Sequence, residues 1–184
     1  FVATVIGTVP REKRILRSGA RPGDALVVTG FLGSMLLGLI ACKRQISIDD
    51  YTRSIAENAI IEQHPPFSLG RAIADAGIPH AGTDISDGLP GAIYAICEAS
   101  GCGATVDEQR IPLDPELNEL IFATGLSPLQ LSSAGGDWQF LYAVPPEHLP
   151  LLYTLAASQD ASVSVIGTVT EHQEKTTNVS RRRG

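Results

Sequence analysis

Runs rich in β-branched residues alternate along this chain with stretches of helical period, and that alternation leaves few folds open. Residues 24–30 (DALVVTG), 81–85, 104–106, 139–144 (QFLYAV) and 162–169 (SVSVIGTV) read as strands bounded by glycine, proline or polar residues. Residues 2–9 (VATVIGTV) have the same character and are expected to form a further strand. Their VIGTV recurs at 165–169. A pentapeptide of this composition recurs easily by chance, so two sheet strands are expected and no repeat. Between the strands, helices are expected over 32–42, 48–63, 67–76, 89–99, 115–124 and 146–157, with Asp49 and Asp50 suited to a helix N-terminus. The sum is a layered α/β or α+β architecture. Residues 1–170 are expected to form one domain and the polar residues 171–184 a flexible tail.

Composition removes several functions. With 14 basic and 20 acidic residues the net charge is -6, so duplex nucleic acid meets repulsion. The longest apolar run, interrupted by Gly33, Ser34 and Gly38, falls well short of the roughly 20 residues that span a bilayer. No membrane span or signal peptide is expected. The three cysteines are an odd number in a chain too large to need disulfide staples, which points to a reducing, cytoplasmic setting. Cys97 and Cys102 lack the second pair or histidine that a tetrahedral metal site requires.

Three stretches could carry chemistry. The first, residues 82–89 (GTDISDGL), lies where a strand hands over to a helix. Ser86 or Asp87 can cap the first helical amides. Asp84 faces the same mouth, and two carboxylates there repel unless a cation lies between them; magnesium favours such oxygens together with phosphate and water. Cap and half-site are both open at this point. The second stretch, LRSGARPGD, offers Arg17 as a fork for phosphate oxygens, against the alternative of a hydrated basic loop. No G-x-x-x-x-G-K-[ST] pattern occurs. The third, residues 132–140 (SSAGGDWQF), sets Asp137 beside Trp138, the sole tryptophan, which can stack on a heteroaromatic substrate or pack at a strand start; packing is favoured.

In order along the chain, LRSGARPGD, VVTGFLG, the HPP break, GTDISDGL, CEASGCGA and SSAGGDWQFLYAVPPE resemble the C-terminal domain of thiamine-monophosphate kinase, within the wider aminoimidazole ribonucleotide synthetase superfamily. The resemblance implies an α+β sandwich with a mixed sheet flanked by helices. It implies ATP-dependent phosphorylation of thiamine phosphate with Mg2+, Asp84 and Asp87 as metal ligands, and Ser86 and Arg17 as nucleotide contacts. Asp137 and Trp138 fall in the substrate motif, where Gly136 stands at the position of the expected glutamate. The family's N-terminal ATP-binding domain, through which its members form homodimers, is expected to lie outside this chain, leaving half of a Mg–ATP site. Two alternatives stand beside this: a related ATP-using enzyme with another substrate, or a non-catalytic binding module. On the leading reading, Ser86 and Asp87 cap the helix beginning near Leu89 in the isolated chain and Asp84 faces solvent.

Overall fold

At the centre of the sheet lies β1 (Ala25–Thr29), whose five residues, ALVVT, are all buried. A strand covered on both faces needs apolar side chains in both alternating directions, and β1 supplies them. Leu26 and Val28 enter one core, while Ala25 and Val27 enter the other. This computed structural model describes residues 2–43, 46–172 and 178–180. Its remaining strands are β2 (Ala81–Asp84), β3 (Gly103–Asp107), β4 (Phe140–Val144), β5 (Val163–Thr170) and β6 (Asn178–Ser180). They form one sheet in the order β2-β4-β1-β5-β3-β6, antiparallel throughout except for the parallel β3–β6 edge.

Helices cover both faces. Helix α4 (Leu89–Ser100) lays Leu89, Ala92, Ile93 and Ile96 against Leu26, Val28, Leu141 and Ile166. On the other face, α3 (Phe67–Ala76) and α7 (Leu149–Ser158) bury Leu69, Ile73, Leu152 and Ala156 against Val27, Tyr142 and Val144. A third cluster joins α1 (Ser34–Cys42), α2 (Asp50–Ile61), the 3-10 turn Pro115–Leu117, α5 (Asn118–Thr124) and α6 (Pro128–Ser132) through Leu37, Ala41, Ala56, Leu117, Leu120 and Leu131. Each fully buried leucine of this kind contributes about 1.5–3 kcal/mol by leaving water. The result is the expected α+β sandwich with a mixed sheet.

Three features differ from the expectation. Residues 2–9 form no strand, and Val2 and Ile6 are 98% and 91% exposed, because among the described residues no sheet edge lies beside them. Residues 178–180, within the expected tail, pair with the open edge of β3, where unpaired backbone groups accept a strand of almost any composition. Residues 173–177 and 181–184 of that tail lie outside the described residues. Helix α6 has no apolar period to announce it. It starts instead from a capping box in which Ser127 and Gln130 satisfy each other's backbone amides.

Candidate functional site

The edge of the sheet sets the site. Asp84 ends β2 opposite Phe140 of β4, and the Ile85 amide donates to the Gln139 carbonyl at 2.7 Å. Ile85 then drops into the core, fully buried, and the chain turns through Ser86, Asp87 and Gly88 into α4. Three glycine conformations close the turn against the 133–137 loop. Gly88 and Gly135 have φ of 85° and 70°, and a Cβ on either would strike the carbonyl of Ser133 or Ser86 respectively. Gly136 donates its amide to the Ser86 carbonyl at 3.0 Å.

At this mouth Arg17, Thr83, Asp84 and Ser86 form one network. The Arg17 Nε–H donates to Thr83 Oγ1 at 3.1 Å, and the Thr83 hydroxyl donates to Asp84 at 3.2 Å. The Arg17 guanidinium stands 3.8 Å from the Asp84 carboxylate, with both side chains substantially exposed. The Ser86 hydroxyl beside Asp84 is the main influence holding that carboxyl below its ordinary range; partial burial opposes it, while Thr83 and the Arg17 charge add to the lowering. Asp84 is therefore anionic and already oriented. Asp87 is exposed at the same turn.

The capping expectation is corrected here. Gly88, not Ser86 or Asp87, is the N-cap of α4, and no side chain caps it. Ser86 is turned toward Asp84 instead, and Asp84 is held by neighbours rather than simply facing water. Arg17 is likewise engaged, as is Lys13, which pairs with Asp75 at 2.6 Å.

Asp137 and Trp138 have separate surroundings. The Asp137 carboxylate is buried and accepts from the Gly33 and Met35 amides at the start of α1, at 2.7 and 3.0 Å. Trp138 is 46% exposed with φ of 53°, a left-handed conformation rare for an aromatic residue. Beside them a cleft of about 490 Å³ is lined by Phe31, Glu62, Asp114, Asp137, Gln139 and Asp160 among others, with neither lysine nor arginine in its wall. Gln139 connects the two places: its side chain lines the cleft and bonds Thr29 at 2.9 Å, while its carbonyl holds Ile85.

Four side chains have parts that the motifs did not announce. Thr83 bridges arginine and acid, and only its position next to Asp84 hints at this. Ser100, at the far end of α4, accepts from the Gly19 and Ala20 amides at 3.1 Å each and donates to the Arg17 carbonyl at 3.3 Å, fixing the arginine loop. Glu62 and Asp114 reach the cleft from segments that carry no motif. Among the described residues no group of three or more His, Cys, Asp and Glu side chains is placed to hold a metal, and no helix is long and apolar enough to cross a membrane.

A helix-flanked, largely antiparallel sheet that presents an arginine and two aspartates at one strand-to-helix turn defines an α+β domain with a charged, oxygen-rich mouth. The chain belongs to the family described as AIR synthase related protein, C-terminal domain, whose model matches residues 21–180. It is 33% identical over 174 residues to the thiamine-monophosphate kinase of Caulobacter vibrioides, covering 92% of this chain and 47% of that protein. The crystal structure of thiamine-monophosphate kinase from Stenotrophomonas maltophilia K279a has the same fold, with a TM-score of 0.78 at 24% identity over 90% of this chain and 53% of that one. AaThiL complexed with AMPPCP and TMP aligns with a TM-score of 0.72 at 25% identity, covering 86% and 48%. The chain thus spans about half the length of the relatives it matches.

Proposed function

We propose that this chain supplies half of the Mg–ATP site of an ATP-dependent thiamine-phosphate kinase that makes thiamine diphosphate. The observation that carries the reading is the preassembled Arg17–Thr83–Asp84–Ser86 network with Asp87 at the same turn. Its similarity to thiamine-monophosphate kinases, and to a relative complexed with AMPPCP and TMP, supports the substrates. A soluble cytoplasmic enzyme that dimerises outside this domain, and binds neither nucleic acid nor membrane, is part of the same proposal. The three free cysteines and the net charge of -6 support that setting.

The donors fit magnesium by type, since Asp84, Ser86 and Asp87 offer hard oxygens, but two carboxylates are only part of a shell. Phosphate oxygens, water and further acids must complete it. When bound, the ion neutralises charge on the transferring phosphoryl group. This chain's own residues do the positioning. Arg17, its loop fixed by Ser100, forks onto phosphate oxygens; Thr83 and Ser86 keep the Asp84 lone pairs aimed at the mouth. The acidic cleft and the exposed Phe31 suit a cationic thiazolium ring, which gains from carboxylates and from an aromatic face alike. Glu62 and Asp114 supply negative charge in the cleft that Asp137 also lines, in place of the glutamate expected where Gly136 stands. The test is thiamine diphosphate formation from ATP and thiamine phosphate by the protein that carries this chain. Product must form, and Asp87→Asn must lose most turnover; equal turnover by the variant sinks the proposal.

A further inference from the structure

Helix α4 ends in a cap that places two thiols together. Gly101 turns left-handed with φ of 66°, and the Cys102 amide reaches back to the Cys97 carbonyl at 3.1 Å. In this helix ending the side chains on either side of the turn meet, usually as an apolar pair. Here both are cysteines. Both side chains turn to the same core, Cys102 inside the cluster beneath α4 and Cys97 packed against it. Cys97 is half-buried and Cys102 buried, while Cys42 is exposed and lies in α1. Neither thiol serves the Arg17–Asp84 network; both pack on the core, and the helix ending sets two oxidisable groups on either side of one turn.

We propose that Cys97 and Cys102 are a redox modification site that closes to an intramolecular disulfide when the protein meets a small-molecule disulfide. Cys97, the more accessible thiol, loses its proton to solvent and its thiolate attacks one sulfur of RSSR. A Cys97–S–SR bond forms, the RS–SR bond breaks, and the released RS⁻ takes up a proton. Cys102 then gives up its proton and attacks the Cys97 sulfur, expelling the second RS⁻, which is also protonated. Two cysteine thiols are oxidised and one RSSR is reduced to two RSH, with nothing else consumed. Burial, which pushes the Cys97 thiol up to about 12, makes the first attack slow and keeps the pair reduced in passing encounters.

The position gives the bond a consequence. Ser100 lies inside the ring that the disulfide closes, and its hydroxyl holds the Arg17 carbonyl and the Gly19 and Ala20 amides. Oxidation therefore bears on the loop that presents Arg17. The effect on nucleotide rests on the proposed role of Arg17; the thiol chemistry does not.

The experiment uses Cys42→Ser, which removes the exposed thiol and leaves the core untouched. After treatment with oxidised glutathione and denaturation, both remaining thiols are expected to be lost, with an intact mass lower by two hydrogens and recovery in dithiothreitol. The double variant Cys42→Ser/Cys102→Ser is expected to stop at a glutathione adduct on Cys97. Cys42→Ser that keeps both thiols, or that accumulates the adduct without closing, overturns the site. Amide hydrogen exchange reads the second step: changed protection at Gly19 and Ala20 on closure is expected, and unchanged protection overturns the link to the Arg17 loop while leaving the kinase reading to its own assay.

Discussion

The carboxylate of Asp137 accepts the Gly33 amide at 2.7 Å, so a residue from the far half of the chain caps the helix α1 that Gly33 precedes. Asp137→Asn keeps the shape but turns an amide N–H toward a backbone N–H, and is expected to cost about 1–3 kcal/mol at neutral pH. Burial pushes this carboxyl above its ordinary 3.8, with the Met35, Gly33 and Ser34 amides pulling the other way. A folded acid with a raised pKa binds its proton more tightly than the unfolded chain. The protonation-linked part of its contribution is thus full below 3.8 and is lost as pH rises through the raised value, while the accepted amide bonds remain at neutral pH. Urea denaturation of wild type and Asp137→Asn across this range should show the gap in stability widening as pH falls.

Asp49 has the opposite sign. It caps α2 by accepting from the Tyr51 and Thr52 amides at 2.8 and 2.9 Å and from the Thr52 hydroxyl at 2.6 Å. The Thr52 hydroxyl, then the Thr52 amide, hold its carboxyl well below the ordinary 3.8. Stability from this cap is present above 3.8 and is lost as pH falls through the depressed value. Thermal denaturation followed by circular dichroism should show Asp49→Ala melting earlier at neutral pH, with the difference from wild type shrinking in acid.

Gly135→Ala tests how the third motif supports the first. The added methyl group meets the Ser86 carbonyl while φ stays at 70°. The expected cost is about 1–3 kcal/mol of strain. It is accompanied by displacement of Ser86 from Asp84. Denaturant midpoints measure the first effect, and the carboxyl carbon shift of Asp84 across an NMR pH titration measures the second.

Arg17→Lys separates binding from stability. Lysine cannot reproduce the guanidinium fork, so ATP affinity in the presence of Mg2+ is expected to fall about tenfold, or about 1.4 kcal/mol. The melting temperature should barely move, because the 3.8 Å contact with Asp84 is exposed and such pairs contribute about 0–1 kcal/mol. Isothermal titration and calorimetric melting of the same samples distinguish the two.

One pentapeptide shows where sequence legibility ends. VIGTV at 165–169 is strand, bonded to β1 and β3, whereas VIGTV at 5–9 pairs with nothing among the described residues. β-Propensity records fitness for a pleated, half-covered surface, and the neighbours that provide one are invisible in a local window. Helix α3 was legible at both ends because Pro66 and Gly77 punctuate it, and β1 because a strand buried on both faces must be apolar throughout. The GTDISDGL turn declared its carboxylates and held Thr83 in plain view, yet its partners Arg17 and the 133–137 loop, and Ser100 behind Arg17, join it only through tertiary contacts. A serine next to aspartate looks like a helix cap in sequence; what redirected Ser86 was the carboxylate beside it and Gly88 taking the cap position.

The pairing of β2 with β4 sets Asp84 against Phe140 and leaves Ile85 in the core. A slip of one residue reverses every side chain of a strand. It would drive the Asp84 carboxylate among Leu89, Leu141 and Ala143 and push Ile85 into water. The charge at this turn therefore also polices the alignment of the edge strand: a misregistered chain cannot hide its aspartate, and Asp84 doubles as a proofreading mark for folding.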